Sequence, residues 1–245
     1  MKKILMIGPG RDVRGGISTV VNSYYELGIE KDTEIKYIPT MEDGSQIKKL
    51  IVAVKAYMEF GGCVKKYDIV HVHMAAQASF VRKSLFVQKA KKAGVKVIIH
   101  SHAADFDKYF FEESDDKNRK KIKETFALAD KVIVLSEEWA DFFGKNVCDP
   151  AKIKIIYNGV ILPQKNKTSY DDHNILMLGR LGERKGTYDL LKAIPMVLRE
   201  VPDAMFYLGG DGDIEGCKAI AANEGIQDHI KFLGWIKGTE KKNLL

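Results

Sequence analysis

Asn174-Ile175-Leu176-Met177-Leu178-Gly179-Arg180-Leu181-Gly182-Glu183-Arg184-Lys185-Gly186 holds the pattern from which the fold is read. Residues 174–178 are short and apolar, as a buried strand requires. Beyond Gly186, the residues Leu190, Leu191, Ile194, Leu198 and Val201 recur at helical spacing. A glycine-rich loop bearing Arg180, Arg184 and Lys185 therefore joins a strand to the start of a helix. Backbone N–H groups and the positive end of a helix dipole attract phosphate at such a place. Arg and Lys add donors and countercharge. Taken alone, the loop is also explained as a solvated basic turn, since basic loops are common.

Outward from this loop the same alternation continues. Apolar runs at 4–7, 34–38, 69–74, 95–99, 131–135 and 153–157 read as strands. Helical patterns lie between them at 17–27, 46–60, 79–92, 117–129 and 137–143. Nearly continuous apolar strands alternating with helices mean a parallel sheet covered on both faces. The polar, aperiodic stretch Pro163-Gln164-Lys165-Asn166-Lys167-Thr168-Ser169 reads as a linker. A second alternation follows, with a strand from Ile175, a helix at 187–200, a strand at 204–208, a helix near 214–224 and a strand at 230–233. The expected architecture is α/β, with one Rossmann-like unit over 1–160, a linker over 161–172, and a second, incomplete unit over 173–245.

Composition narrows the function. Of 245 residues, 45% are hydrophobic and 29% charged, with a net charge of +6, as in a globular protein able to meet an anionic partner. The lysines are scattered and no aromatic-interleaved basic strand appears, which argues against nucleic acid. Cys63, Cys148 and Cys217 form no C-x-x-C and cannot all pair, so free thiols in a reducing cytoplasm are the simplest reading. No stretch reaches the roughly 18 apolar residues of a membrane span.

Further strand ends collect chemistry. In Gly8-Pro9-Gly10-Arg11-Asp12-Val13, valine replaces the third glycine of the dinucleotide pattern, which weakens a nicotinamide or flavin reading. Gly15 and Gly16 precede the first helix and let a ligand approach the backbone, or simply make a tight turn. His71 and His73 share one strand face, as do His100 and His102. His73 and His102 are expected to emerge at the carboxyl edge, where open α/β sheets bind ligands. Their roles divide between an active-site group, above all His102 with Asp105 after it, core histidines, and metal ligands. The metal reading lacks a Cys or Asp/Glu cluster to complete a coordination set. Asn158 in Tyr157-Asn158-Gly159-Val160 serves either a chain reversal or a cleft. Gly209-Gly210-Asp211-Gly212-Asp213 and Gly234-Trp235 end two strands at the same edge as the 179–186 loop, although Asp211 has a structural reading too.

Together these residues resemble the retaining glycosyltransferases of family 4, built on the GT-B fold of two Rossmann-like domains facing a cleft. The resemblance runs in order through Gly15-Gly16, His71-Val72-His73, His102, Tyr157-Asn158-Gly159-Val160, Gly179-Arg180, Lys185-Gly186, Gly209-Gly210-Asp211-Gly212 and Phe232-Leu233-Gly234. It implies that Arg180 and Lys185 hold the diphosphate of a nucleotide-sugar donor and that His102 contacts the transferred sugar. It also implies that Gly15-Gly16 lies near phosphate and acceptor, and that the 232–235 loop receives the base. No cofactor and no bound divalent metal are implied.

The family's later E-x7-E element, whose first Glu contacts the sugar, is not in this sequence. A fragment or truncated form is the expectation, ahead of a degenerate protein. The expected reaction is retaining transfer to a glycan or lipid-linked hydroxyl in bacterial-type surface polysaccharide synthesis. A nucleotide-sugar epimerase of the same fold and a non-catalytic nucleotide-sugar-binding module are the rivals. The segments 48–60 and 80–86 are apolar and basic enough to lie on an anionic bilayer, at the inner face of the membrane. Ordinary core-facing amphipathic helices are the favoured reading of them.

Overall fold

The chain forms two compact units, Met1–Ile161 and Leu162–Leu245, in a computed structural model that describes residues 1–159, 173–236 and 238–244. The expected linker over 161–172 lies outside the described residues.

The first unit alternates β1 (Lys2–Gly8), α1 (Gly16–Glu26), β2 (Thr33–Pro39), α2 (Gln46–Cys63), β3 (Ile69–Met74), α3 (Gln77–Lys92) and β4 (Lys96–Ser101). It continues through α4 (Phe106–Phe111), α5 (Asp116–Ala127), β5 (Lys131–Val134), α6 (Glu137–Asn146) and β6 (Ile153–Ile155). Side-chain caps set several starts: Ser45, Asp115 and Ser136 accept the N–H groups of Lys48, Asn118 and Trp139. All six strands are parallel, in the order β2-β1-β3-β4-β5-β6. The order reverses between β1 and β3, which opens a crevice beyond their carboxyl ends. Residues 103–105 after His102 form a loop into α4, whose Phe106, Tyr109 and Phe110 are buried.

Strand alternation sorts the core. Leu5, Ile7, Val70, Val72, Val97, Ile99, Val132 and Val134 join one cluster with Phe60 of α2, Phe86 of α3, Phe126 of α5 and Phe143 of α6. On the opposite face of β3 and β4, beneath α1, stand histidines instead. Tyr24 of α1 lies 6.0 Å from the His73 ring between centroids. The imidazoles pack as a column of neighbouring rings, His71 and His73 stacked at 4.4 Å and His100 and His102 tilted at 4.1 Å.

The second unit holds β7 (Asn174–Leu178), α7 (Thr187–Glu200), β8 (Met205–Gly209), α8 (Ile214–Asn223), β9 (Ile230–Gly234) and α9 (Gly238–Leu244). Its three strands are parallel, in the order β7-β8-β9. Leu191 and Ile194 of α7 and Cys217 and Ala221 of α8 pack on Phe206 and Leu208 of β8. The five residues of helical spacing after Gly186 thus lie on α7 or its end, with Leu191 and Ile194 fully buried.

The histidine column has a consequence for stability. His71 Nε2, His73 Nε2 and both His100 ring nitrogens are sealed from solvent with no hydrogen-bond partner among the described residues. Burial pushes the pKa of His71 down to about 4, of His102 to about 3 and of His100 to about 2, and holds His73 well below 6.5. The unfolded chain protonates these rings near pH 6.5 while the folded chain does not. Stability is therefore lost as pH falls from 6.5 toward 4. In urea titrations across that range, His100→Leu should flatten the slope by about 1.4 kcal/mol per pH unit. Equal slopes in the two proteins would refute a neutral column.

Candidate active site

Parallel registration brings the three strand ends of the second unit together, with Leu178 opposite Gly209 and Gly209 opposite Gly234. The loops beyond them are then joined backbone to backbone. The N–H of Gly179 donates to Gly209 O at 2.9 Å, that of Leu181 to Asp211 O at 2.6 Å, and that of Asp213 to Leu181 O at 3.1 Å. The N–H of Gly210 donates to Gly234 O at 2.7 Å. Such closeness needs glycine: a Cβ on Gly210, whose φ is 152°, would land on the carbonyl of Gly179. Leu181 is the anchor, 3% exposed, holding Arg180 outside the core on its rim.

Between Leu181 and α7 the chain makes a 3-10 turn over Glu183–Lys185, closed by Gly186 at φ 69°. Buried Thr187 accepts the N–H of Gly182 through its hydroxyl at 2.9 Å. The helix therefore begins one turn later than a direct strand-to-helix loop would allow. The Lys185 stem passes over Gly179, its Cγ 3.8 Å from a Cβ built there, and the Arg180 Cγ comes within 3.1 Å of one built on Gly212. Both exposed cations thus rise from the paired loops. Asp213 is a structural residue. It caps α8 by accepting Gly216 N–H at 3.0 Å and accepts the Tyr188 hydroxyl at 2.6 Å. Trp235, at the end of β9, is 40% exposed.

In the first unit a cavity of about 330 Å³ opens beyond β1, β3, β4 and β6. Gly15, Gly16, His102 and Asn158 line it, so four residues singled out from sequence meet there. An added Cβ on Gly15 or Gly16 would meet nothing within 4 Å, so the start of α1 faces open space. Helix geometry leaves its first N–H groups without intrahelical acceptors. Ser18 ties the loop down by donating to Gly10 O at 2.9 Å. His73 is placed differently from the expectation: it is fully buried and meets the cavity only through His102, its Nδ1 2.9 Å from His102 Nε2.

Ring nitrogens of His71, His73 and His100 lie within 4.8 Å of one another. A common ion would need to lie about 2 Å from each nitrogen, in the plane of each ring. The His71 and His100 rings lie 5° apart in plane, and His73 packs against them at 29° and 33°.

Sequence reading misses Arg14, Arg82 and Lys83 of the same cavity. The signal is present. Phe80, Lys83, Ser84, Val87 and Ala90 form the buried stripe of α3, and a lysine on such a stripe calls for an explanation. Over 80–86 the core-facing helix fits better than a basic, bilayer-facing surface. Lys83 points inward, 1% exposed, while Val81 and Leu85 face solvent.

Comparison with known proteins places this geometry. The chain is 26% identical over 189 residues to a subunit of the phosphatidylinositol N-acetylglucosaminyltransferase of Arabidopsis thaliana, covering 74% of this chain and 40% of that protein. It is 25% identical over 209 residues to an uncharacterized glycosyltransferase of Methanocaldococcus jannaschii, covering 74% and 50%. The chain thus spans about half the length of these relatives or less. Among solved structures, Anabaena HepE in complex with UDP-glucose superposes with a TM-score of 0.66 at 15% identity, over all of this chain and 71% of that one. The two parallel-sheet units are those of the GT-B fold. The model of Glycosyl transferases group 1 matches residues 161–245. The model of Glycosyltransferase Family 4 matches residues 26–162, more than half of the sequence, and the chain belongs to that family.

Proposed function

We propose that the protein is a retaining glycosyltransferase that moves a sugar from a nucleotide-diphosphate donor to a hydroxyl of a glycan or lipid-linked acceptor. The observation that carries this reading is the backbone pairing of the 179–181 and 209–213 loops, which holds Arg180 and Lys185 together at one strand edge. Negative charge grows on the leaving diphosphate during transfer, and pre-placed cations and N–H groups stabilise it there more than in the ground state. Gly179, Gly209, Asp211 and Gly234 shape that edge, and exposed Trp235 offers a face to the nucleotide base.

On the acceptor side, Gly15, Gly16, Asn158 and His102 line the first unit's cavity. His102 is neutral in the fold and has one nitrogen engaged by His73. Its other nitrogen is a hydrogen-bonding partner for the transferred sugar, without charge. The plant relative's name joins sugar transfer to phosphatidylinositol, which supports a lipid-borne acceptor. Exposed Ile47, Leu50, Ile51, Val54 and Met58 of α2, beside Lys48, Lys49 and Lys55, support peripheral contact with an anionic membrane from the cytoplasm. Among the described residues, no helix is long and apolar enough to cross a membrane. Surface polysaccharide synthesis is the setting in which such a transfer fits.

Arg180→Ala and Lys185→Ala should each lower kcat/KM for the donor roughly ten- to a hundred-fold, the loss of one charge-assisted hydrogen bond, with thermal melting unchanged. Unimpaired turnover in both variants would overturn the reading. Because Asp213 is committed to the α8 cap, turnover should persist in EDTA, and abolition by chelation would show that a metal shares the work. Donor consumption should require acceptor. Consumption without it would mean epimerisation or hydrolysis instead.

A further inference from the structure

Lys83 is the least expected charge in the molecule. It projects from the buried stripe of α3, and among the described residues its ammonium has one hydrogen-bond partner, Ser79 Oγ at 3.1 Å. Arg82 beside it has its Nε sealed from solvent without a partner among those residues. Burial, and the adjoining Arg82, bring the Lys83 pKa down to about 7. No Asp or Glu is among the described residues lining the cavity that holds them, while Arg14, the start of α1 and His102 are. Burying ammonium without a carboxylate is costly, and an anionic ligand removes the cost.

That cavity continues into a second space. Met41, Ser79 and Arg82 line it and also line a groove of about 1060 Å³ between α2 and α3. Leu50, Val54, Met58, Val81 and Leu85 face the groove, each about half exposed or more, and again no carboxylate is among the described residues lining it. A cationic end thus adjoins an apolar trough.

We propose that the acceptor is a phosphate-bearing amphiphile: its phosphate sits on Lys83 and Arg82 against the start of α1, and its hydrocarbon chain lies in the α2–α3 groove. This assignment rests on the transferase reading and narrows its acceptor to one chemical class. The two ends contribute differently. The cations recognise the phosphate, and the groove gains affinity in proportion to the apolar area it covers. Head and tail held together bind far better than either alone.

The test uses monomeric dodecyl phosphate, with inorganic phosphate as head alone and dodecyl maltoside as tail alone, titrated by calorimetry into the full chain. Dodecyl phosphate should bind at least ten-fold more tightly than either fragment. Lys83→Met, which keeps the length of the side chain, should fold and weaken dodecyl phosphate roughly ten-fold, while leaving dodecyl maltoside unchanged. Arg82→Gln provides the same comparison at a less buried position. Leu50→Asp and Leu85→Ser should weaken dodecyl phosphate and spare inorganic phosphate.

Equal affinity for dodecyl phosphate in wild type and in folded Lys83→Met would overturn the proposal. So would binding to anionic lipid vesicles without binding to the monomeric amphiphile, which would mark a membrane surface rather than an acceptor site. UDP binding, measured alongside, separates the failures. If UDP binds while dodecyl phosphate does not, the donor reading stands and only this acceptor falls. If UDP does not bind, the donor reading itself fails.

Discussion

Everything chemical in the second unit depends on two loops approaching to backbone contact. The carbonyl of Gly179 occupies the volume that any side chain at Gly210 would need, and the carbonyl of Leu181 does the same at Gly212. A side chain at either place would force the loops apart and break the ladder through Leu181, Asp211 and Asp213. With glycine, the loops form one platform, and the stems of Arg180 and Lys185 rest on it. The two charges therefore rise from stems resting on that platform, which leaves less ordering for an anionic ligand to impose.

The first unit uses glycine for the opposite purpose. Gly15 and Gly16 pack against nothing within 4 Å of a built Cβ, so α1 begins on open space rather than on another chain segment. The strand order 2-1-3 separates the loops after β1 and β3, and the cavity lies in the resulting crevice. One unit thus closes its loops to present side-chain charge. The other leaves its helix end bare to present backbone N–H groups. Both devices suit anions, in keeping with a chain carrying a net charge of +6.

Alternation and edge chemistry were legible in the sequence because they are local. Leu190, Leu191, Ile194 and Leu198 mark α7 by spacing alone, and each apolar run after a helix became a parallel strand. The gathering of Gly179, Gly209 and Gly234 at one edge followed from the parallel rule. Three features were not legible. The 3-10 turn over Glu183–Lys185 depends on the Thr187 hydroxyl reaching back to Gly182, a contact that no periodicity encodes. α4 is short, and burial of its aromatics rather than propensity holds it. His73 alternates correctly with His71, yet its depth depends on α1 crossing above it, which is a tertiary fact. Lys83 was visible as a charge on an apolar stripe, but spacing alone could not say that the stripe faces a cavity.

The histidine column and Lys83 are better understood as one electrostatic arrangement. Lys83 lies close enough to His73 and His102 to push their pKa values further down. Four neutral imidazoles floor the region beside a buried ammonium, and carboxylates are absent from the described lining of the cavity above. Had any of these rings been an acid, it would neutralise Lys83 internally and leave nothing for a ligand. Had the rings been charged, their repulsion would expel the ammonium or unfold the site. Neutral, neighbouring rings satisfy both conditions: they fill the sheet face, exclude water and add no countercharge. In the low-dielectric pocket so formed, the attraction between Lys83 and an incoming anion is several-fold stronger than the same pair would have in water. The burial that makes the column vulnerable to acid also lowers the Lys83 pKa to about 7, so an incoming anion draws the proton onto the amine.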